Sequence, residues 1–209
     1  MDERTRREQG KLYCVYDVPG NEWIKARSLL QKINSTYVPD EARAYFDELL
    51  GAFPKSSHIT PPFYCDLGTR IFLGQSVHIN MDCLFLDEGK ITIGDRVLIG
   101  PRCSFYTPIH PMDPQVRATG LETCKPIHIE NDVWLGGSVT VNGGVTIGEG
   151  SVIGSGSVVV RDIPDHVFAC GNPCRVVRPI DQQDQKEWND AWQDYLRDPD
   201  TAGMPESHE

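Results

Sequence analysis

Long apolar runs, a surplus of basic charge and paired cysteines are all missing from this chain, and each absence removes a class of protein. No stretch approaches the roughly 18 apolar residues of a membrane-spanning helix. The start, MDERTRREQGKLY, is charged and lacks the apolar segment of a secretory signal. Lys and Arg number 20 against 30 Asp and Glu, for a formal net charge of −10. Neither nucleic acid nor a membrane surface is therefore an expected partner, since both need a basic footprint. A small anionic ligand needs only a local basic patch and stays open. The seven cysteines are odd in number and scattered, which fits free thiols in a reducing, cytoplasmic compartment. Cys170 and Cys174 form a CxxxC with no second pair nearby, and both read as small packing residues.

What is present is one domain's worth of chain. The 209 residues are 39% hydrophobic and 24% charged, ordinary for a soluble globular protein. Trp23, Ala26, Leu29, Leu30 and Ile33 fall at helical spacing after a plausible N-cap, Asn21. A second helix starts near Pro39, carries Ala42, Tyr45, Phe46, Leu49 and Leu50, and stops at Gly51. At the other end Trp188, Trp192, Tyr195 and Leu196 share one helical face, so a short amphipathic helix is expected, followed by the polar tail DPDTAGMPESHE.

Between Ile71 and Ile163 the rule changes. Aliphatic residues recur every six positions: Ile129, Leu135, Val141, Ile147, Ile153 and Val159 run without a slip. Val133, Val139, Val145, Ser151 and Ser157 keep the same period four positions later. Leu73, Ile79 and Phe85 keep time in the first half, and after a two-residue slip at Asp87 to Lys90 the series resumes at Ile93, Ile99 and Phe105. A period of six fits neither a helix nor an ordinary strand; it is the mark of hexapeptide repeats building a parallel β-helix. Each hexad forms one flat side of a triangular coil, its aliphatic residue points inward, and Gly or Asn turns the corner at positive φ.

One interruption stands out. FYTPIHPMDPQVRATG, residues 105–120, breaks the repeat and crowds two prolines around His110. From the residues alone His110 is either a turn histidine or a side chain that the excursion exists to present.

The hexads and several strings, taken together, resemble the maltose/galactoside O-acetyltransferase family of hexapeptide-repeat acyltransferases. The strings are GKLY near the start, PPFYCDLG at 61–68, HPMDPQVRATGLE at 110–122, NDVWLGG at 131–137, GVTIG at 144–148, GSGSVVVRDIP at 154–164 and GNPCRVVR at 171–178. The resemblance implies a mainly β fold, a left-handed parallel β-helix assembled as a homotrimer with active sites between subunits. The expected organisation is an N-terminal helical segment (1–60), a β-helix domain (61–180) with a protruding loop at 106–126, and a C-terminal helix and tail (181–209). The implied reaction moves an acetyl group from acetyl-CoA to a sugar hydroxyl of the maltose, glucose or galactoside type. A thioester is already activated, so no metal is required.

That chemistry needs a base, oxyanion donors, an acceptor pocket and a groove for CoA. His110 matches the family's catalytic histidine, and an imidazole titrating near neutrality is an efficient base for a hydroxyl. Glu122 matches the acidic position that would brace it. Asn80 matches the active-site asparagine, although a corner turn would use the same residue. Asp17, Asp66 and Glu88 match acceptor contacts, a role that suits carboxylates because they accept hydrogen bonds from several hydroxyls. On the CoA side the resemblance assigns Trp134 and Gly137 near the pantetheine arm. Ser155, Val160 and Arg161 would follow along pantetheine and adenine, with Arg175 and Arg178 near the phosphates. Departures occur at His78 and Met81, where aromatics are common, and at Val160–Arg161, where Thr-Lys is usual. An acceptor of another kind (antibiotic, amino sugar or serine) therefore stays in view. So do a metal-dependent carbonic anhydrase-like β-helix built on His78, His110 and His128, and a purely structural β-helix.

Overall fold

The computed structural model describes residues 1–36 and 38–198, with the polar tail from 199 onward outside that range. The hexads build a three-faced parallel β-helix. One face stacks His58–Ile59, His78–Ile79, Leu98–Ile99, Trp134–Leu135, Val152–Ile153 and Val167–Gly171, and ends in the antiparallel strand Cys174–Pro179. The second carries Ile71–Leu73, Ile91–Ile93, Ile127–Ile129 and Thr146–Ile147. The third carries Phe63–Cys65, Cys83–Leu86, Ser104–Tyr106, Thr140–Asn142 and Val158–Val159. Every member of both periodic series is buried; the apolar members form one continuous column, and the Ser151 and Ser157 hydroxyls donate to backbone carbonyls.

The stacking registers locate the irregularities. On the third face Phe85 lies over Cys65 and Phe105 over Phe85, each 20 positions apart. Val141 lies over Phe105 after 36 positions, and Val159 over Val141 after 18. All the surplus falls at one corner, between the third and second faces. The spacing there is eight residues from Cys65 to Leu73 and from Phe85 to Ile93, 24 from Phe105 to Ile129, and six from Val141 to Ile147. The other steps between faces keep six, apart from the last turn of this corner, which is four from Val159 to Ile163. The slip at 87–90 and the break at 105–120 are insertions at the same edge of the prism.

The positive-φ corner positions hold fewer glycines than the repeat suggests. Ser76, Asp82, Arg96, Arg102, Asp132 and Ser138 all sit near φ +60°. Asn80 precedes the left-handed residue of its own corner. Stacked corners compensate: Arg96 donates twice to Asp132 of the next coil, both at 2.7 Å, in a solvent-exposed fork.

The helices Glu22–Ser35 and Pro39–Leu49 close the base of the prism. Phe46 meets Phe63 edge-on at 5.5 Å, and Phe63, Phe85 and Phe105 continue the stack at 5.1 and 4.4 Å. Asn34 substitutes for a missing strand below the first coil, donating to the Phe63 carbonyl and accepting from its N–H, both at 2.9 Å. Ala26, Leu29, Leu30 and Ile33 are buried as expected, but Trp23 is 51% exposed. It sits on the first turn, beyond the reach of the coils, and looks over a cleft instead. The C-terminal helix, Gln182–Arg197, carries a capping box at Asp181 and Asp184. Its apolar stripe forms but does not join the core, with Trp188 71% and Trp192 54% exposed.

Candidate active site

The insertions put four acidic side chains and one histidine on a single edge. Asp66 comes from the first coil, Asp87 and Glu88 from the second, and His110 and Glu122 from the long excursion of the third. The excursion is rooted in an antiparallel ribbon, Pro108–Ile109 against Thr123–Cys124. Thr107 ties that root to the coil below, accepting from Gly89 N–H at 2.7 Å and donating to the Leu86 carbonyl at 2.6 Å. Within the loop Asp113 caps the short helix Pro114–Arg117, and Arg117 donates to the carbonyls of Pro111 and Met112, both at 3.1 Å. The turn that carries His110 is thereby held at both ends.

The His110 side chain is 56% exposed, and its Nε2 lies 3.8 Å from Glu122 Oε2. That is ion-pair range, longer than a hydrogen bond, and apo dyads often tighten only with substrate present. The other Glu122 oxygen accepts from the hydroxyl of fully buried Tyr13 at 2.5 Å. Burial and that bond push the phenol above its ordinary pKa, so Tyr13 stays a neutral donor.

A cleft of about 680 Å³ opens beside the dyad, bordered by Asp66, Glu88, Tyr16, Trp23 and Arg27. Burial pushes the Asp66 carboxyl up to about 7, with the charge on Asp87 adding to the effect. Burial raises Glu88 too, opposed by Arg7, whose Nη1 donates to it at 3.0 Å from a side chain only 3% exposed. Asp87 has a different job. It does not border the cleft; it accepts from the backbone N–H groups of Asp66, Leu67 and Arg70 at 3.1, 2.8 and 3.3 Å. Those N–H groups hold the corner that presents Asp66. Burial outweighs these bonds and lifts Asp87 to about 6.

Asp66 gives a pH-dependent prediction. Its folded pKa lies above the usual 3.8, so the neutral form is the one that folding favours. Its contribution to stability is complete below pH ~4 and is lost as pH rises through about 7. Asp66→Asn, a neutral mimic, is expected to match the wild-type Tm at pH 4 and exceed it at pH 8. Thermal scans across that range check this; a difference that does not change with pH contradicts it.

The opposite edge of the third face holds another group. Asn80, Gly137 and Ser155 lie on three turns of the corner between the first and third faces, with the Gly100–Arg102 turn stacked between Asn80 and Gly137. Stacking there is tight, and a Cβ on Gly136 would come within 2.6 Å of Ser155 Oγ. Asn80 Oδ1 accepts from the N–H of Met81 at 2.8 Å, a corner-turning bond. Trp134 points outward from the first face, 53% exposed, in register with Leu98 and Val152. Val160 and Arg161 are exposed one coil further on. Arg175 donates to its neighbour's carbonyl, Cys174 O, at 2.7 Å. Arg178 is forked onto Asp184 at 2.6 and 2.8 Å, so it enters any phosphate contact already paired. Asp17 ends the 3-10 turn Val15–Asp17, exposed, next to Val15 and Tyr16, which border the cleft.

One chain therefore gathers Asp66, Glu88, His110 and Glu122, and leaves Asn80, Trp134, Gly137 and Ser155 across the third face. The three histidines weighed as a metal set do not converge within the chain. His78 stacks on His58 at 5.5 Å on the first face, His128 lies on the second, and His110 is in the loop. Tyr13, Arg7 and Asp87 were not singled out from the sequence. GKLY contains the tyrosine and the slip at 87–90 contains the aspartate, but neither pattern states a role.

Residues 126–161 match the family model for the bacterial transferase hexapeptide (six repeats). A maltose O-acetyltransferase from Clostridium difficile 630 superposes with a TM-score of 0.83 at 36% identity, over 87% of this chain and 99% of that one. The chain belongs to the maltose/galactoside O-acetyltransferase family. A galactoside acetyltransferase solved with coenzyme A is similar to this member of the family at a TM-score of 0.84 and 33% identity, over 88% and 94% of the two chains. A hexapeptide-repeat acetyltransferase of Vibrio cholerae, solved with acetyl coenzyme A, gives 0.79 and 38%, over 87% and 100%. This member is an acetyltransferase built on a hexapeptide-repeat β-helix.

Proposed function

We propose that this acetyltransferase moves an acetyl group from acetyl-CoA to a sugar hydroxyl of the maltose, glucose or galactoside type, with His110 as general base. The observation that carries the reading is the His110–Glu122 pair standing over a cleft bordered by Asp66 and Glu88. Carboxylates recognise a polyol by accepting from its hydroxyls, and the half-exposed Trp23 offers an apolar ring face beside them.

In this reading the imidazole nitrogen turned away from Glu122 takes the acceptor's hydroxyl proton. The oxygen bonds to the thioester carbonyl carbon, the tetrahedral adduct collapses, and the carbon–sulfur bond breaks. The thiolate leaves with the proton returned by the imidazolium, so an O-acetyl ester and free CoA are formed. Glu122 holds the ring and stabilises its charged form. Backbone N–H groups near Gly137 are candidates for the oxyanion.

The two residue groups on opposite edges of the third face favour a site shared between copies, in which His110 of one subunit faces Asn80 and Trp134 of the next. A homotrimer satisfies this with three equivalent sites. The test is release of free CoA thiol across a panel of sugars. Acceptor-dependent release with glucosides, maltose or galactosides is expected; release that no sugar stimulates would contradict the proposal.

A further inference from the structure

We propose that Tyr13 is a positioning residue for the catalytic base, acting through Glu122, and that the N-terminal segment is thereby part of the active site. This rests on the reading of His110 as the base.

The Glu122 oxygens are divided between two partners. Oε1 accepts from Tyr13 and Oε2 faces His110 Nε2 at 3.8 Å. Fixing one oxygen of a carboxylate removes its rotation, and so aims the other oxygen at the ring. Tyr13 can serve as the anchor because its own place is fixed. It is fully buried, and its backbone pairs with that of Glu122 in both directions, at 2.9 and 3.1 Å. The loop ribbon is only two residue pairs long, and Tyr13 adds a separate antiparallel bridge at Glu122, next to its end. Neighbouring contacts stitch the same seam: Thr123 Oγ1 donates to the Gly10 carbonyl at 2.9 Å, and Arg7 reaches Glu88. The base therefore stands on a loop whose root is closed by the first 13 residues.

A catalytic group must be held within about 0.5 Å of its productive position, and partners that orient it are worth about 10- to 100-fold in comparable sites. Tyr13→Phe removes one hydroxyl and keeps the buried ring. It is expected to lower kcat by about 10- to 100-fold while the KM values for acetyl-CoA and sugar stay within about twofold. In a Glu122→Gln background the same change is expected to cost less than about twofold, because its route to His110 is already cut. Tyrosine fluorinated at the 3-position keeps the donor and is expected to restore kcat to within about threefold of wild type.

A kcat unchanged in Tyr13→Phe, or an equal loss in both backgrounds, would overturn the proposal. Failure of the fluorinated residue to restore activity would do the same. His110→Ala separates this from the underlying reading. Wild-type turnover in that variant removes the base assignment, while the coupling between Tyr13 and Glu122 can still be measured on whatever turnover is observed.

Discussion

His110→Ala is expected to lower turnover by about 10²–10⁴-fold, the factor a positioned general base contributes. The fold should not register the change. His110 is more than half exposed, on an excursion outside the stacked coils, and the loop around it is braced by Asp113, Arg117 and the 108–109/123–124 ribbon. Thermal midpoint and size-exclusion volume should therefore match the wild type, including the expected trimer. Loss of activity together with loss of folded protein would point to a structural histidine. Wild-type rates would remove the mechanism.

Asp87→Ala is expected to do the reverse and act on stability. The carboxylate is fully buried and accepts from three backbone N–H groups of the coil below. Removing it leaves the Leu67 and Arg70 N–H groups without that acceptor, at about 1–3 kcal/mol for each group buried and unsatisfied, while the Asp66 N–H keeps its bond to the Phe85 carbonyl. Relief from burying a charge offsets part of that, since burial lifts this carboxyl to about 6. The net loss is expected to be on the order of 2–5 kcal/mol, read from the denaturation midpoint. Asp87→Asn retains an oxygen that can serve Asp66 and Leu67 and should lose less. A stability within 1 kcal/mol of wild type for the alanine variant would mean that the corner holds itself. Because the same corner presents Asp66, acceptor KM should rise in parallel.

The sequence-to-structure relation differs from part to part. The coils were legible because each hexad's fate depends on its own six residues: Ile129, Leu135 and Val141 point inward wherever the stack begins. The helical hairpin was legible for the same local reason, except at Trp23, whose exposure depends on how far the coils reach beneath it. The corners were half legible. Counting exposes the slip at 87–90 and the excursion at 106–126, yet only the stacking shows a further insertion at 66–70, and that all three share one edge and gather Asp66, Glu88 and His110. Tyr13 and Arg7 lay beyond local reading, since they meet Glu122 and Glu88 across 109 and 81 positions. Arg178 illustrates the opposite case. The phosphate contact expected of it rests on charge and family position, and the Asp184 that pairs with it belongs to the C-terminal helix.

The most direct measurement is mass spectrometry of the acceptor after incubation with acetyl-CoA and the purified chain. The expected product is a sugar carrying one acetyl group as an ester, removed by mild base and absent with His110→Ala. An acetyl group that survives base, as an amide would, or acetyl-CoA consumed with no acetylated sugar formed, would contradict transfer to a sugar hydroxyl.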